Sequence, residues 1–354
     1  MPHEPLSTRR GTAVDRGALP RVVTRVTQFM RCPGDASFSV ERLFEDVRLH
    51  LPADIEVKVC TSRFMSRGVL RRLYDMLRAT RHQSRVNHIT GDVHFLTLLL
   101  RKRRTLLTIH DCVTLQRPPG PKRLVLWFFW FWLPARRCAL ISVISESTRL
   151  QVLAHAKCDP AKVRVVHDSV SDEFRPVPKA FCAKRPRILH IGTTPNKNVE
   201  RHAAALEGLE CRLIVIGRLS DTQRATVARH GVRFESHANL TRAEVVEQYR
   251  QCDLLLFAST YEGFGLPILE AQAVGRPVVA GNRWSMPEVA GDAACLVDPF
   301  DPASIRAGVQ RVISDSGYRD GLIARGFVNV KRFRADTVAE QYAELYREID
   351  RAGV

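Results

Sequence analysis

Residues 254–280, LLLFASTYEGFGLPILEAQAVGRPVVA, decide the fold of this chain. The apolar start, Leu254–Phe257, is typical of a buried parallel strand, and the two glycines that follow soon after indicate a tight turn. Pro267 suits the first turn of a helix, which we expect over Leu266–Val274. The segment Pro277–Ala280 then predicts the next strand. A strand, a turn, a helix and a further strand in this order form a unit of parallel α/β architecture.

The same alternation runs through most of the 354 residues, a length that suits two domains. The proline-containing segment Phe174–Pro186 interrupts it and is interpreted as the linker, because proline continues neither helix nor sheet. We expect a flexible segment over residues 1–20, a Rossmann-like domain over 21–175, a second over 176–334 and a final helical segment over 335–354.

The remaining elements are predicted from apolar runs and helical periodicity. Strands are expected at Val22–Phe29, Glu56–Cys60, Val86–Ile89, Thr105–Ile109, Ala139–Ile144, Val163–Val166, Arg187–Ile191, Leu213–Ile216 and Cys295–Val297. Helices are expected at Ser39–Leu51, Gly68–Thr80, Leu124–Leu133, Glu146–Ala156, Asn198–Leu209, Ser220–His230, Arg242–Gln251, Pro302–Ser314 and Ala335–Arg351. Either Ser145 or Ser147 is expected to cap the helix that begins at Glu146.

The chain is strongly basic, since 54 Lys and Arg residues against 37 Asp and Glu residues give a formal net charge of +17. Such a charge favours nucleic acid, anionic lipid or phosphorylated substrates, but arginines that merely cover solvated faces explain it equally well. The nine cysteines are scattered without a C-x-x-C pair, and no apolar segment follows the N-terminal arginines. We therefore expect no signal peptide and a reducing, cytoplasmic location.

The longest apolar run, Leu124–Leu133 (LVLWFFWFWL), is too short to span a bilayer, which takes about 20 helical residues. Its tryptophans and flanking arginines suit a helix that lies in a membrane interface. The alternative is a buried helix of the first domain. Both interpretations hold if one face packs inward and the other touches lipid.

The turn after Leu254–Phe257 carries the strongest chemical signal, because ligands of open parallel sheets bind beyond the carboxyl ends of the strands. The amides and dipole of the following helix start favour a diphosphate. Glu270, one turn into that helix, is placed to accept ribose hydroxyls, and Glu262 to face sugar hydroxyls. Two acids would repel a phosphate unless they bind hydroxyls, so the turn favours a nucleotide-sugar. The alternative is a surface helix with a capping Glu and an unrelated loop Glu.

The pair Glu262-x7-Glu270, followed by PEVAGD at 287–292 and VDP at 297–299, resembles glycosyltransferase family 4. That family comprises retaining enzymes with the GT-B fold. The resemblance runs from Arg187 onward and implies an α/β fold of two Rossmann-like domains facing across a cleft. It also implies that Glu262 contacts the donor sugar, that Glu270 binds the ribose, and that the final helix returns to the first domain.

The loop that follows the first strand of the second domain looks like the phosphate-binding segment of the family. Gly192 and Thr193 form its turn, and Lys197 matches the family's lysine over the leaving diphosphate. The arginine that usually accompanies this lysine is missing, because its candidate positions hold Thr193 and Asn196. Candidate substitutes for it are Arg218 and Arg283.

In the first domain, His110 and Asp111 end the strand Thr105–Ile109 and are similar to the family's His-Asp segment, whose histidine lies near the reacting centre. Weaker acceptor contacts are expected from Asp111, from His88 on the preceding strand, and from Gly34 after the first strand. The family has paired glycines where this chain has only Gly34.

These expectations define a site. The predicted donor-binding residues are Gly192, Thr193, Lys197, Glu262, Gly263, Phe264, Gly265, Leu266 and Glu270. The predicted catalytic residues are His110, Lys197 and Glu262. No cofactor is expected, and no metal ion either, since no Asp-x-Asp motif occurs.

The resemblance implies transfer, with retention, of a mannosyl- or glucosyl-type hexose from a nucleotide-diphosphate sugar to a lipid-linked or saccharide acceptor. Such enzymes build cell-surface polysaccharide or lipopolysaccharide. The alternatives are a nucleotide-sugar hydrolase or epimerase of the same fold and, less favoured, a basic nucleic-acid-binding module, which would interleave basic with stacking aromatic residues. The charge suggests peripheral docking on the anionic inner leaflet of the plasma membrane.

Overall fold

The structure is a computed structural model and describes residues 23–32, 39–116 and 120–353. The segment over residues 1–20 and the candidate Gly34 lie outside the described residues. The described residues form two six-stranded sheets in which every strand is parallel to its neighbours. We call each sheet, with the helices packed on it, the first and the second domain.

The first sheet consists of β1 (Thr24–Met30), β2 (Ile55–Thr61), β3 (Val86–Ile89), β4 (Thr105–Ile109), β5 (Leu140–Val143) and β6 (Val163–Val165). Their order across the sheet is β2-β1-β3-β4-β5-β6. The direction of chain progression reverses between β1 and β3. A crevice opens at the carboxyl ends of strands where such a reversal occurs.

The second sheet consists of β7 (Arg187–Ile191), β8 (Arg212–Ile216), β9 (Arg233–His237), β10 (Leu254–Phe257), β11 (Val278–Gly281) and β12 (Cys295–Val297). Their order is β12-β11-β10-β7-β8-β9. The reversal lies between β7 and β10, so the loops after these two strands flank the crevice of the second domain.

The α-helices within the described residues alternate with these strands. They are α1 (Ser39–Leu49), α2 (Val69–Thr80), α3 (Pro121–Leu126), α4 (Leu133–Arg136), α5 (Glu146–Ala156), α6 (Val199–Leu206), α7 (Asp221–Arg229), α8 (Arg242–Gln251), α9 (Leu266–Val274), α10 (Met286–Ala290), α11 (Pro302–Ser314), α12 (Ser316–Asn329) and α13 (Ala335–Ala352). Ser145 caps α5, because its side chain accepts the amide of Thr148.

Three elements of the second domain differ from the sequence-based expectations: β9, α12 and the five-residue helix α10, which is too short to show helical periodicity. The strand β9 was not predicted because it is a half-buried edge strand, RFESH, with only one large apolar residue. The helix α12 was not predicted because it contains three glycines, which lower helix propensity. One of them, Gly326, is buried against Gln272 of α9, where a side chain has little room.

The apolar run expected at Leu124–Leu133 forms part of a longer helix. A π-helical segment, Trp127–Trp132, joins α3 to α4. Phe131 is buried and the indole of Trp130 packs on the core, whereas Leu124 is exposed. One face therefore packs inward and another faces solvent. No helix within the described ranges combines the length and hydropathy that crossing a bilayer requires.

The helix α13 follows the second domain in sequence but packs on the first sheet. Its apolar face, which includes Val338 and Ile349, shares a core cluster with α1 and the first sheet. The hydroxyl of Tyr346 lies 2.7 Å from Nδ1 of His88 and accepts the amide of Gln28 at 3.2 Å. The helix α13 thus provides hydrogen-bond partners for polar side chains of β1 and β3.

Candidate functional site

Lys197 and Glu262 meet at the crevice between β7 and β10. Nζ of Lys197 lies 2.7 Å from Oε1 of Glu262, and their side chains are 19% and 12% exposed. The ammonium group also lies 4.8 Å from the centre of the Phe257 ring, which adds a cation–π contact. The two residues that the sequence placed on separate loops therefore form one ion pair.

The loop after β7 is shaped to carry this lysine. Gly192 has a φ of 88°, and a Cβ built on it would lie 3.0 Å from Cγ of Lys197, so glycine leaves room for the lysine stem. Asn198 follows in the left-handed region and donates its amide to the carbonyls of Ala258 and Pro299 at 2.9 and 2.6 Å. These bonds tie the lysine loop to the end of β10.

The loop after β10 has its carbonyl groups occupied and its amides unoccupied. Asn196 donates to the carbonyl of Tyr261 at 3.0 Å, and Ser145 donates to that of Gly263 at 2.8 Å. Ser285 donates to the carbonyls of residues 262 and 264 at 3.0 and 2.7 Å. Within the described chain, the amides of residues 262–265 donate to no other protein group. This leaves successive amides available to an anion.

The helix α9 begins directly after this loop. Gly265 is its N-cap with a φ of 113°, and Pro267 lies in the first turn. The positive end of the helix dipole is therefore next to the Lys197–Glu262 pair. Phe264 is buried and Leu266 is partly buried in the core, so the helix start is anchored.

Glu270 lies one turn into α9 and contacts different groups from Glu262. Its Oε2 accepts the hydroxyl of Tyr249 at 2.5 Å. Burial raises its pKa, against the opposing effects of Tyr249 and of Arg242. A pocket of 60 Å³ beside it is lined by Arg42, Arg242 and a second acid, Asp46, so this carboxylate faces a small charged cavity between the domains.

His110 and Asp111 lie directly opposite the glycine turn. A Cβ built on Gly263 would be 2.4 Å from the His110 carbonyl oxygen and 3.0 Å from Cβ of Asp111. Nε2 of His110 lies 2.8 Å from the Thr90 carbonyl oxygen, and the amide of Cys112 donates to the Tyr261 hydroxyl at 3.1 Å. The predicted first-domain loop is therefore in contact with the predicted donor loop.

The N-terminus of α5 forms a second contact between the domains. Ser145 and Thr148 donate to the Gly263 carbonyl at 2.8 and 3.2 Å. The amide of Glu146 donates to both carboxylate oxygens of Glu288 at 2.9 and 3.0 Å. Burial raises the pKa of Glu288, but the bonds from His167 and from this amide outweigh it, and the pKa is lowered.

These contacts involve residues to which the sequence assigned no role. Glu288 stands in the PEVAGD string and Ser145 was expected only as a cap. A carboxylate at the helix start of the opposite domain is favoured by the helix dipole. The sequence signal that could have indicated a role for Glu288 is its place in a family motif that follows Glu262 and Glu270 along the chain.

Asp168 is a further buried acid in the first domain. Its Oδ1 has no hydrogen-bond partner among the described residues. Burial raises its pKa to about 6, although His110 and His167 oppose the shift. This buried carboxyl group therefore lies close enough to His110 to interact with it electrostatically.

Within the described residues, no hydrogen bond or ion pair joins His88, Arg218 or Arg283 to the Lys197–Glu262 pair. His88 does not line the cleft, because it is fully buried between the Tyr346 hydroxyl and Oγ1 of Thr108, each at 2.7 Å, and burial lowers its pKa to about 3. Its expected acceptor contact is therefore wrong. Arg218 is exposed after β8, and the guanidinium of Arg283 lies over the Phe300 ring at 5.6 Å.

A pocket of 440 Å³ lies beside the two loops that carry the ion pair. It is lined by Tyr261, Trp284 and Phe300, together with Arg283 and Asn196. Trp284 adopts a φ of 57°, which is unusual for a bulky residue, and its indole donates to the Thr260 carbonyl at 3.0 Å. The site thus includes an aromatic cavity beside its charged centre.

Gly263→Ala tests the contact between the loops. We expect the added methyl group to separate the domains, because the backbone of His110 lacks room for it. Hydrogen exchange should then become faster at the amides of Cys112 and Glu146, which bond across the domains. Gly317→Ala is the control, since its Cβ meets only an ordinary contact of 3.7 Å. Unchanged protection of both amides would contradict the contact.

Asp168→Asn tests the buried acid. With a folded pKa of about 6, above its unfolded value, Asp168 costs no stability below about pH 4, and the cost grows as the pH rises toward 6. The free energy of unfolding of the variant should therefore exceed that of the unmodified chain by about 1–3 kcal/mol near pH 8 and equal it near pH 4. Urea titration measures both values. Asp320→Asn, on the exposed side of α12, is the control. A gain that does not depend on pH would contradict the shift.

Residues 185–315 match the family model described as "Glycosyl transferases group 1". The O-antigen chain mannosyltransferase B of Escherichia coli is 39% identical over 99 residues, which cover 28% of this chain and 26% of that protein. The D-inositol 3-phosphate glycosyltransferase of Thermobispora bispora is 29% identical over 238 residues, covering 58% and 55%. The chain thus spans between about a quarter and just over half of the length of these two curated relatives.

The fold is shared with solved glycosyltransferase structures. Anabaena Alr3699/HepE, in complex with UDP and glucose, superimposes with a TM-score of 0.73 at 17% identity, covering 92% of this chain and all of that one. WaaG, a glycosyltransferase involved in lipopolysaccharide biosynthesis, gives a TM-score of 0.68 at 14% identity, covering 91% and 99%. The α/β GT-B architecture expected from the sequence is confirmed. The family model, the relatives and the fold together support a group 1 glycosyltransferase family for this chain.

Proposed function

We propose that the chain transfers a hexose of the mannosyl or glucosyl type, with retention, from a nucleotide-diphosphate sugar to a lipid-linked or saccharide acceptor. The pathway would be the synthesis of cell-surface polysaccharide or lipopolysaccharide. The observation that carries this proposal is the Lys197–Glu262 pair at the start of α9, inside a cleft closed by the loop of His110.

The donor diphosphate would bind where positive potential converges. Lys197 supplies a cation, the amides of residues 262–265 supply donors, and α9 supplies the positive end of its dipole. These groups are fixed before the ligand arrives, because the carbonyls of the loop are already bonded. Protein groups would therefore take the charge-stabilising role that a divalent cation has in other transferases.

The two acids would bind hydroxyl groups of the donor. When a diphosphate attracts Lys197, Glu262 loses its counter-ion and is free to accept sugar hydroxyls. Glu270 keeps one oxygen on Tyr249 and offers the other toward the pocket beside it, where ribose hydroxyls would bind. The aromatic pocket of 440 Å³ leaves room for a further saccharide unit.

Transfer would proceed by displacement on the face from which the diphosphate leaves. The acceptor hydroxyl forms the new bond to the anomeric carbon, the bond to the diphosphate breaks, and the departing oxygen takes the acceptor's proton. Lys197 and the amides stabilise the charge on the diphosphate, and His110 lies close to the reacting centre. The contacts of Ser145 and Glu288 exclude water from the cleft and so limit hydrolysis.

The names of relatives support the choice of substrates. The matching proteins include mannosyltransferases of O-antigen, and a solved structure with the same fold contains UDP-glucose. GDP-mannose and UDP-glucose are therefore the first donors to be tested, by thermal shift. A reducing, cytoplasmic location on the inner leaflet is part of the proposal, because nucleotide-sugars are made in the cytoplasm.

Lys197→Ala should lower kcat about 100- to 1,000-fold with the donor that gives the largest thermal shift, because it removes a charge that stabilises the leaving group. Transfer is measured with radiolabelled donor and a membrane extract as acceptor source. Lys184→Ala, at an exposed lysine, is the control. Normal transfer by the folded variant would refute the assignment, and label released as free sugar without acceptor would favour a hydrolase.

Glu270→Ala should weaken donor binding about 10- to 100-fold, because it removes hydrogen bonds to a charged acceptor. Binding is measured by calorimetry with the same nucleotide-sugar. Glu270→Gln keeps an acceptor for Tyr249, so a loss in this variant as well is due to the ligand rather than to unfolding. Glu200→Ala, exposed on α6, is the control, and unchanged affinity in both Glu270 variants would rule out the ribose role.

A further inference from the structure

The helix α2 turns an apolar stripe toward solvent. Leu70, Leu73 and Leu77 are 81%, 43% and 52% exposed, and Val69 and Tyr74 extend the stripe. The spacing of these residues places them on one side of the helix. A surface helix normally buries such a side, so α2 is inverted with respect to the core.

Polar contacts hold α2 in this orientation. Asp75 is 4% exposed and accepts the amides of Arg63 and Phe64 at 2.9 and 3.3 Å. On the same inward side, Arg72 donates to the Ser66 carbonyl at 2.7 Å, and Arg78 to the carbonyl that ends β2, also at 2.7 Å. Rotation of the helix to bury the leucines would break these bonds and leave the amides of Arg63 and Phe64 without their acceptor.

Cations surround the stripe. The segment 63–81 contains six arginines and one acid, Asp75, which points inward. The guanidinium groups of Arg63 and Arg71 lie 6.0 and 5.7 Å from the ring of Phe64. Long arginine side chains beside exposed leucines are the composition of helices that lie in an anionic membrane interface.

A second exposed apolar stripe lies on the neighbouring helix. Leu124, Val125 and Phe129 are each exposed by 40% or more. The guanidinium of Arg72 lies 4.7 Å from the centre of the Trp130 ring, which links α2 to this segment. Two adjacent elements of the first domain therefore carry unpartnered apolar side chains.

We propose that the outward face of α2, together with the stripe at Leu124–Phe129, docks on an anionic lipid bilayer. The leucines enter the head-group region and the arginines bind lipid phosphates. A second copy of the chain fits less well, because a two-fold contact through α2 would bring arginines against arginines. A second copy would need exposed carboxylates to pair with these arginines, whereas the phosphates of an anionic bilayer supply the negative charge themselves. Segment 63–81 has no exposed acid.

The position of α2 suits delivery of a membrane-bound acceptor. The loop over residues 62–68 leaves β2 at the carboxyl edge of the first sheet, the edge that faces the cleft. A lipid-linked acceptor held at the bilayer would therefore enter beside α2. This last step rests on the proposed function, whereas docking itself does not and is tested without any glycosyl transfer.

The test is co-sedimentation of the full chain with phosphatidylcholine vesicles that contain or lack phosphatidylglycerol. We expect binding to the anionic vesicles only, and a decrease on addition of salt. The variant Arg67→Gln/Arg71→Gln/Arg81→Gln should bind about 100-fold more weakly, since each surface arginine contributes about fivefold. The variant Leu70→Ser/Leu73→Ser/Leu77→Ser should bind at least about tenfold more weakly although its charge is unchanged.

A charge-matched control separates the patch from the overall charge. Arg224→Gln/Arg229→Gln/Lys331→Gln removes three exposed cations from the second domain and should bind like the unmodified chain. Equal loss in this control would overturn the proposal, as would equal pelleting with neutral vesicles or no pelleting at all. A dimer in sedimentation velocity that the leucine variant dissociates would overturn it too, since a second copy would then cover α2. Transfer to a soluble acceptor by any of these variants does not depend on the patch, so the two proposals fail separately.

Discussion

The hydrogen bond from Ser145 to the Gly263 carbonyl is the interaction on which the site depends, because it joins the domains at the residue that shapes the donor loop. The same glycine has no side chain, which lets the backbone of His110 approach it. Its carbonyl accepts from the first domain, while the neighbouring amides of the loop have no hydrogen-bond acceptor among the residues that the structure describes. The contact between the domains and the shape of the anion-binding loop are thus linked through one residue.

The two acids of the site have different partners. Lys197 neutralises Glu262 at the helix start, whereas Glu270 is held by a tyrosine hydroxyl one turn further on. Burial raises the pKa of Glu270, although the hydroxyl of Tyr249 and the charge of Arg242 oppose the shift. Lys197 is the cation that pairs with Glu262, and under the proposed function the backbone amides of residues 262–265 would share the charge of the diphosphate with it.

Local patterns predicted most strands and helices, because buried parallel strands and capped helices leave clear signals. They also predicted that Lys197 and Glu262 belong to one site, since strand ends at a reversal converge. What could not be predicted depends on partners far away in sequence: Ser145 and Gly263 are 118 residues apart, and Glu146 and Glu288 are 142 apart. His88 was misplaced for the same reason, because the helix that buries it follows the whole second domain.

The position of α13 affects the order in which the chain folds during synthesis. The core between β1, β3 and α1 includes Tyr342 and Tyr346, which a ribosome adds only after every strand of the second domain. The second domain therefore has all of its own strands before the first has its full core, which inverts the usual order in which domains fold during synthesis. Until α13 arrives, the hydroxyl partner of His88 is missing and the first sheet presents an unfilled apolar face, a surface that chaperones recognise.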